Sequence, residues 1–305
     1  MQRFYSYNQY MRERFGCKMY KLGLSISNTC PNRDGTKGCG GCIFCSEGGS
    51  GDFAAAYCKS ISEQIEDAKR LVSHKNRGGK YVAYFQSFTS TYIAPQKLRD
   101  ALNEVMKDKE ICAVSIATRA DCLGDEIMAV LSEFSHKIPL TVEMGLQTIH
   151  DKTAKLINRC CDLSEYQASL KRLKALGIEV VYHIIAGLPF ESEEDFFETV
   201  RFVGESGAIG IKIQLLHILK GTELEKMYNR GEFKTLSKEE YLGLVAKALE
   251  ILPPDMVIHR LTGDGAKKIL VAPLWSADKK GVLNSLNRYL EENDIIQGKK
   301  ISDAL

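Results

Sequence analysis

The side chains best suited to chemistry are the thiols of Cys30, Cys42 and Cys45, which stand in the loop Cys30-Pro-Asn-Arg-Asp-Gly-Thr-Lys-Gly-Cys-Gly-Gly-Cys-Ile-Phe-Cys45. Thiolates this close together, on a backbone that turns at Gly35, Gly38, Gly40 and Gly41, converge on one metal centre. Three of them hold a [4Fe–4S] cluster and leave its fourth iron open for a ligand, which makes a reaction site, whereas four would close it into a structural or electron-transfer centre. A fourth cysteine, Cys39, lies inside the loop, so Cys39, Cys42 and Cys45 also form a Cys-x2-Cys-x2-Cys run. Spacing alone therefore leaves a cluster, a four-thiol zinc knot and free thiols all open. A disulfide framework fits poorly: there are ten cysteines in 305 residues, and the opening Met1-Gln2-Arg3-Phe4-Tyr5 has no apolar signal region.

Other groups gather around the same chemistry. His150, His183, His217 and His259, four of the six histidines, fall at or just beyond the ends of strand-like runs, which points to a polar cavity there. Glu143 sits within an apolar run, and a buried carboxylate needs a partner; Arg119, Lys212 or a histidine are the candidates. Cys112, Cys122, Cys160 and Cys161 read as small apolar residues.

The elements that must position these groups alternate regularly. Tyr20–Ile26, Tyr81–Phe85, Cys112–Ile116, Leu140–Met144, Glu179–Ile185 and Ile211–Leu216 read as six strands. Helical patterns separate them, one opened by the capping box Ser60-Ile-Ser-Glu63 and another by Asp162-Leu-Ser-Glu165. Apolar strands alternating with helices predict a parallel sheet curled by right-handed crossovers into a full or partial β/α barrel. Chemistry then belongs at the C-terminal ends of the strands. The expected organisation is a basic, aromatic N-terminal segment (1–18), the barrel (19–219) and an α/β extension packed on it (220–305), with a helix from Ser237 to Ile251, a short strand Met256–His259 and a last helix near Gly281–Glu292.

The composition, with 44% hydrophobic and 26% charged residues, is that of an ordinary globular protein, and no stretch is long enough for a membrane span. A thiol-rich, untargeted chain is expected in the cytoplasm. The net charge of +2 is too small to imply nucleic-acid binding. Residues 1–25, however, set Arg3, Arg12, Arg14, Lys18 and Lys21 against Glu13 alone, among Phe4, Tyr5, Tyr7, Tyr10, Phe15 and Tyr20. That mixture suits either RNA contacts or a segment laid against the core with its cations reaching outward.

A cysteine cluster after the first strand of such a barrel resembles the radical S-adenosylmethionine (radical SAM) superfamily, although eleven residues separate Cys30 from Cys42 where three are common. The loop is close to the signature of its YhcC/YtqA family. So are Tyr84-Phe-Gln-Ser-Phe-Thr-Ser-Thr91, Ile116-Ala-Thr-Arg-Ala-Asp-Cys122, Glu143-Met-Gly-Leu-Gln-Thr-Ile-His-Asp151, Ile157-Asn-Arg159 and His183-Ile-Ile-Ala-Gly-Leu-Pro189. Ser50-Gly-Asp-Phe-Ala54 and His259-Arg-Leu-Thr-Gly-Asp-Gly265 look most like the YtqA (MnmL) subgroup.

The resemblance implies a partial (β/α)6 radical SAM barrel, a [4Fe–4S] cluster on Cys30, Cys42 and Cys45 with Cys39 a bystander, and S-adenosylmethionine cleaved to a 5′-deoxyadenosyl radical. By position it places Gln147 near the methionine part, Arg159 on its carboxylate and His183 near the ribose, with Gly187, Leu188 and Pro189 shaping a turn against adenine. Two departures stand out: Gln86-Ser-Phe-Thr89 replaces the usual Gly-Gly-Glu-like element, and Ala117 replaces a carboxylate of some relatives. Candidates for the catalytic group are Glu143, His150, His217 and His259.

The subgroup resemblance implies tRNA as substrate, with the wobble side chain of 5-carboxymethylaminomethyl-2-thiouridine converted toward the aminomethyl and methylaminomethyl forms. A flavodoxin or ferredoxin would supply the electron, and a tRNA methyltransferase would act next. The alternatives are a radical SAM enzyme with a substrate other than tRNA and a non-catalytic, metal-containing nucleic-acid-binding protein.

Overall fold

In the computed structural model, residues 2–49, 57, 59–263, 265 and 267–302 are described. Ser50–Ala54 and Asp264, which carry part of the subgroup resemblance, lie outside the described residues. All six expected strands form. They are β1 (Met19–Leu24), β2 (Lys80–Phe85), β3 (Ile111–Thr118), β4 (Leu140–Gln147), β5 (Glu179–Ala186) and β6 (Gly210–Leu215). Each pairs in parallel with the next, and helices carry the chain back between them. Both capping boxes are made, at Ser60/Glu63 opening α2 (Ile61–Val72) and at Asp162/Glu165 opening α6 (Leu163–Ala175). The apolar faces of these helices and of α3 (Pro95–Met106), α4 (Asp125–Ser135) and α7 (Glu193–Glu205) pack with the strands in one core that includes Phe85, Ile116, Val142, Tyr182 and Ile213.

The short strand of the extension does more than pack on the barrel. As β8 (Val257–Arg260) it pairs in parallel with β6, giving a seven-stranded sheet with β1 and β8 at its edges. Between them in sequence lie β7 (Ile218–Leu219), α8 (Glu223–Asn229) and α9 (Lys238–Ile251). Beyond come β9 (Leu270–Ala272), antiparallel to β7, then α10 (Lys279–Glu292) and α11 (Lys299–Ser302).

The N-terminal segment spans the gap between the two edges. Ser6 bridges to Ile258, and the Ile258 amide donates to the Tyr5 carbonyl at 2.8 Å, so the chain lies along the free side of β8. Helix α1 (Tyr7–Phe15) follows, capped by Ser6 and stopped at Gly16, whose φ of 70° is the left-handed conformation that favours glycine. Met11 packs with Met19, Val82 and Ala113, near the N-terminal ends of β1, β2 and β3. The Tyr10 hydroxyl donates to Glu179 at 2.6 Å, and Arg14 pairs with the same carboxylate at the start of β5. These basic and aromatic residues are thus spent on covering the barrel's underside.

Candidate active site

A cavity of about 360 Å³ opens among the C-terminal halves of the strands. Cys30, Cys42 and Cys45 line it, while Cys39 is exposed and stands outside the lining. The loop's shape comes from its backbone. The Cys30 carbonyl accepts from the Arg33 amide at 2.8 Å, Asn32 from Gly41 at 2.8 Å and Cys42 from Cys45 at 2.9 Å. Gly40 and Gly41, at φ 78° and 82°, turn the chain between them. The Asn158 amide nitrogen donates to the Cys39 and Gly41 carbonyls at 3.1 and 2.8 Å, fastening the loop to the segment after β4. Burial, with Cys45 as the next cause, pushes the Cys42 thiol up to about 12. It stays protonated near neutrality until a metal centre displaces the proton.

Opposite the thiols, the end of β4 is shaped by Arg159, which is 1% exposed. Its Nε donates to the Cys161 carbonyl at 2.8 Å, and its Nη1 to those of Leu146 and Thr148 at 2.7 and 2.6 Å. The bidentate fork expected for a carboxylate is therefore already occupied by backbone. Nη2, buried and without a hydrogen-bond partner among the described residues, is the donor that remains. Gln147, held at φ 63° in an irregularity of the β4–β5 pairing, likewise has a buried, unpartnered Oε1. A side chain rarely takes this backbone conformation, and such strain is retained where structure over-determines it.

The base of the cavity is an ionic cluster around the fully buried Glu143. Its Oε1 accepts from Lys21 Nζ at 2.7 Å and Ser115 Oγ at 2.6 Å; its Oε2 accepts from Lys212 Nζ and pairs with His183 Nε2 at 2.8 Å. Lys212 also donates to the Tyr84 hydroxyl at 3.1 Å, and Lys21 lies 4.6 Å from the centroids of the Tyr7 and Tyr84 rings. Burial opposes every charge here, but two lysines acting on one carboxylate hold Glu143 well below the usual range. Each lysine has only a share of that carboxylate. Burial accordingly brings Lys212 down to about 7, and burial with Lys212 nearby brings His183 down to about 4.

Of the residues expected in the site, Glu143, Gln147, Arg159, His183 and His217 line the cavity with the three thiols. Others are elsewhere. His150 faces α7, its Nε2 2.8 Å from the Asp195 carbonyl, because the strand it follows turns outward into α5 (Asp151–Leu156). His259 lies beneath the cavity, half-buried against the Tyr7 ring at 4.5 Å, with neither ring nitrogen partnered among the described residues. Gly187, Leu188 and Pro189 are outside the lining as well; Leu188 packs in a side cluster with Ile157, Leu216 and Ile218. Arg119, a candidate partner for Glu143, instead grips Asp121 through two bonds of 2.9 and 2.8 Å. Sequence reading missed Lys21, Ser115, Tyr84 and Arg260. Their signal was a polar residue at an inward position of an apolar strand, weak for each taken singly.

The donor set fits an iron–sulfur cluster with an open iron: three unbridged thiols on one cavity wall and a fourth turned away. The buried, unpartnered Gln147 oxygen and Arg159 nitrogen supply an acceptor and a donor for a polar ligand beside it. Comparison with known proteins agrees. Residues 24–203 match the Radical SAM superfamily and residues 209–292 the Radical_SAM C-terminal domain. YtqA of Bacillus subtilis is 43% identical, over 97% of this chain and 92% of its own. YhcC of Escherichia coli is 35% identical, over 93% and 91%. A tRNA uridine(34) acetyltransferase of Methanocaldococcus infernus is 29% identical over 64% of this chain and 36% of its own. The solved structure of Methanocaldococcus infernus Elp3, covering 92% of this chain and 64% of that one at 18% identity, superposes with a TM-score of 0.67 and shows the fold. The chain belongs to the radical SAM superfamily and, within it, to the YhcC/YtqA family. It is a radical SAM enzyme, and its cofactors are a [4Fe–4S] cluster and S-adenosylmethionine.

Proposed function

We propose that this enzyme modifies the side chain of the tRNA wobble uridine, taking 5-carboxymethylaminomethyl-2-thiouridine toward its aminomethyl and methylaminomethyl forms. The observation that carries this reading is the charge of the cavity. Arg33, Arg119, Arg159, Lys212 and Arg260 line it, against Glu143 as the one acid among the described lining residues. Such a wall favours an anionic ligand. The acetyltransferase relative, by its name, acts on uridine 34 of tRNA, which supports the same class of substrate here.

When bound, the cluster and S-adenosylmethionine would supply radical chemistry able to remove a hydrogen atom from the substrate. The chain's part is to hold and exclude. Cys30, Cys42 and Cys45 would hold the cluster, and Gln147 Oε1 with Arg159 Nη2 would orient the polar end of the cofactor. His183, tied to Glu143, forms part of the base on which the ligands rest. Helix α1 covers the underside and keeps water from entering the barrel from below. Cytoplasmic tRNA, a one-electron donor of the flavodoxin or ferredoxin type and a methyltransferase working on the amine product complete the scheme. Among the described residues no helix is long and apolar enough to cross a membrane.

Mass spectrometry of tRNA nucleosides from a deletion strain tests the reading. Carboxymethylaminomethyl-2-thiouridine should accumulate at the expense of the aminomethyl and methylaminomethyl forms. Unchanged wobble uridines would end the tRNA assignment and leave a radical SAM enzyme with another substrate.

A further inference from the structure

Lys212 is 4% exposed and yet lines the cavity. Its ammonium has three hydrogens. One goes to Glu143 Oε2 and one to the Tyr84 hydroxyl, and no third acceptor is present among the described residues. Glu143 itself does not need Lys212 for its charge to be met, because Lys21, Ser115 and His183 already engage both of its oxygens. The site therefore carries one buried cation more than its own carboxylate balances, with a donor unspent at the cavity surface.

The pairing register shows how that cation is presented. Gly145, His183, Lys212 and Arg260 are successive partners across β4, β5, β6 and β8, so they form one row across the inner wall. Arg260 lines the cavity beside Lys212 at one end of the row, and at the other Gln147 Nε2 lies over Gly145, 2.6 Å from where a Cβ would stand. The row thus borders Gln147 at β4 and presents Lys212 and Arg260 to the cavity from β6 and β8.

We propose that Lys212, beside Tyr84 at the base of the cavity, binds a carboxylate carried by the substrate. The identity of that substrate rests on the wobble-uridine reading, in which the carboxymethyl group is the anion; the carboxylate site itself does not. An arriving carboxylate supplies the counter-charge that Lys212 has only in part from Glu143, and it takes up the unspent donor. A substrate without it leaves that donor buried and unmet, which is the stronger source of discrimination.

The test measures binding to the enzyme loaded with cluster and S-adenosylmethionine. The probes are the free nucleosides 5-carboxymethylaminomethyl-2-thiouridine and 5-aminomethyl-2-thiouridine, and anticodon stem-loops bearing each. Wild type should bind the carboxylate nucleoside at least about tenfold more tightly, a loss that one good charge-assisted contact accounts for. Lys212→Met should bring the two nucleosides within about twofold while affinity for S-adenosylmethionine is retained, and Lys212→Arg should restore part of the preference. Circular dichroism of both variants checks that they are folded; should Lys212→Met fail that check, Lys212→Gln, which keeps an N–H donor but no charge, takes its place. No preference in wild type, including no measurable binding of either nucleoside at millimolar concentration, overturns the proposal, as does a preference undiminished in the folded variant. If the nucleoside preference depends on Lys212 but the stem-loops bind no better than the nucleosides, the carboxylate site stands and the tRNA reading falls.

Discussion

The thiol loop and the base of the cavity face the same space and are built on opposite plans. From Cys30 to Cys45 the protein makes short backbone turns, glycine hinges and a few ties to Asn158, and it lines the cavity with three thiols that no disulfide joins. Around Glu143 both carboxylate oxygens are met, each by two side chains drawn from different strands. One region is completed by what it binds. The other is complete as folded, apart from one donor on Lys212. The difference teaches where fragility lies: losing a thiol disarms the enzyme with little harm to the fold, whereas losing the carboxylate harms the fold directly.

The largest effect should follow from breaking the loop. Replacing Cys30, Cys42 or Cys45 by alanine is expected to abolish formation of 5′-deoxyadenosine and most of the bound iron, as measured on anaerobically purified protein. Cys39→Ala should keep both, and a colourless Cys39→Ala protein would show that the wrong three thiols have been chosen. Breaking the base comes next. Glu143→Ala strands Lys21 and Lys212 in the interior, and removing one partner of a buried ionic group costs about 3–5 kcal/mol. Urea unfolding should show that loss even in protein lacking the cluster, whereas the cysteine variants should unfold close to wild type under the same conditions.

Acid should find the base before the loop. The folded His183 is held near 4, below its ordinary value of 6.5, so between those limits the unfolded chain takes up a proton that the folded one refuses. Stability therefore falls as the pH drops from about 6.5 to 4. Glu143, held low when folded, extends the loss as the pH passes below its ordinary value of 4.5. Urea midpoints taken stepwise from pH 7 to pH 4 should decline, and less steeply in His183→Gln. The smallest change concerns the seam between the regions: Asn158→Ala removes two bonds to loop carbonyls and should cost about 1–2 kcal/mol, with faster loss of iron to a chelator.

The two regions also differ in how far they could be read from sequence. The loop was legible because its information is local: four cysteines, four glycines and their spacing all fall within sixteen residues. The strands were legible for the same reason, each being a short, largely apolar run. Glu143 was recognised as a buried carboxylate, but its partner Lys21 was hidden among the basic residues of the N-terminal stretch, 122 positions away. Pairings between distant strands decide such contacts, and no local pattern reports them. His150 and His259 show the converse. Both sit beside a strand terminus, but the direction of a side chain there depends on a turn or a register shift that sequence does not display. The β8 strand was seen as an element, though not as the seventh member of the sheet, since parallel pairing leaves no trace in the paired segments.

The cover beneath the barrel has a consequence for how the enzyme matures. Tyr5 and Ser6 lie against Ile258, and the amide of Tyr5 donates to Gln297 at 2.8 Å while Arg3 reaches Asp294 at 2.7 Å. Residues 3 to 6 thus find their seat on segments far along the chain, Tyr5 on Gln297 at 292 positions away. The interior around Glu143, Lys21 and Lys212 is closed from below only when these two distant stretches meet.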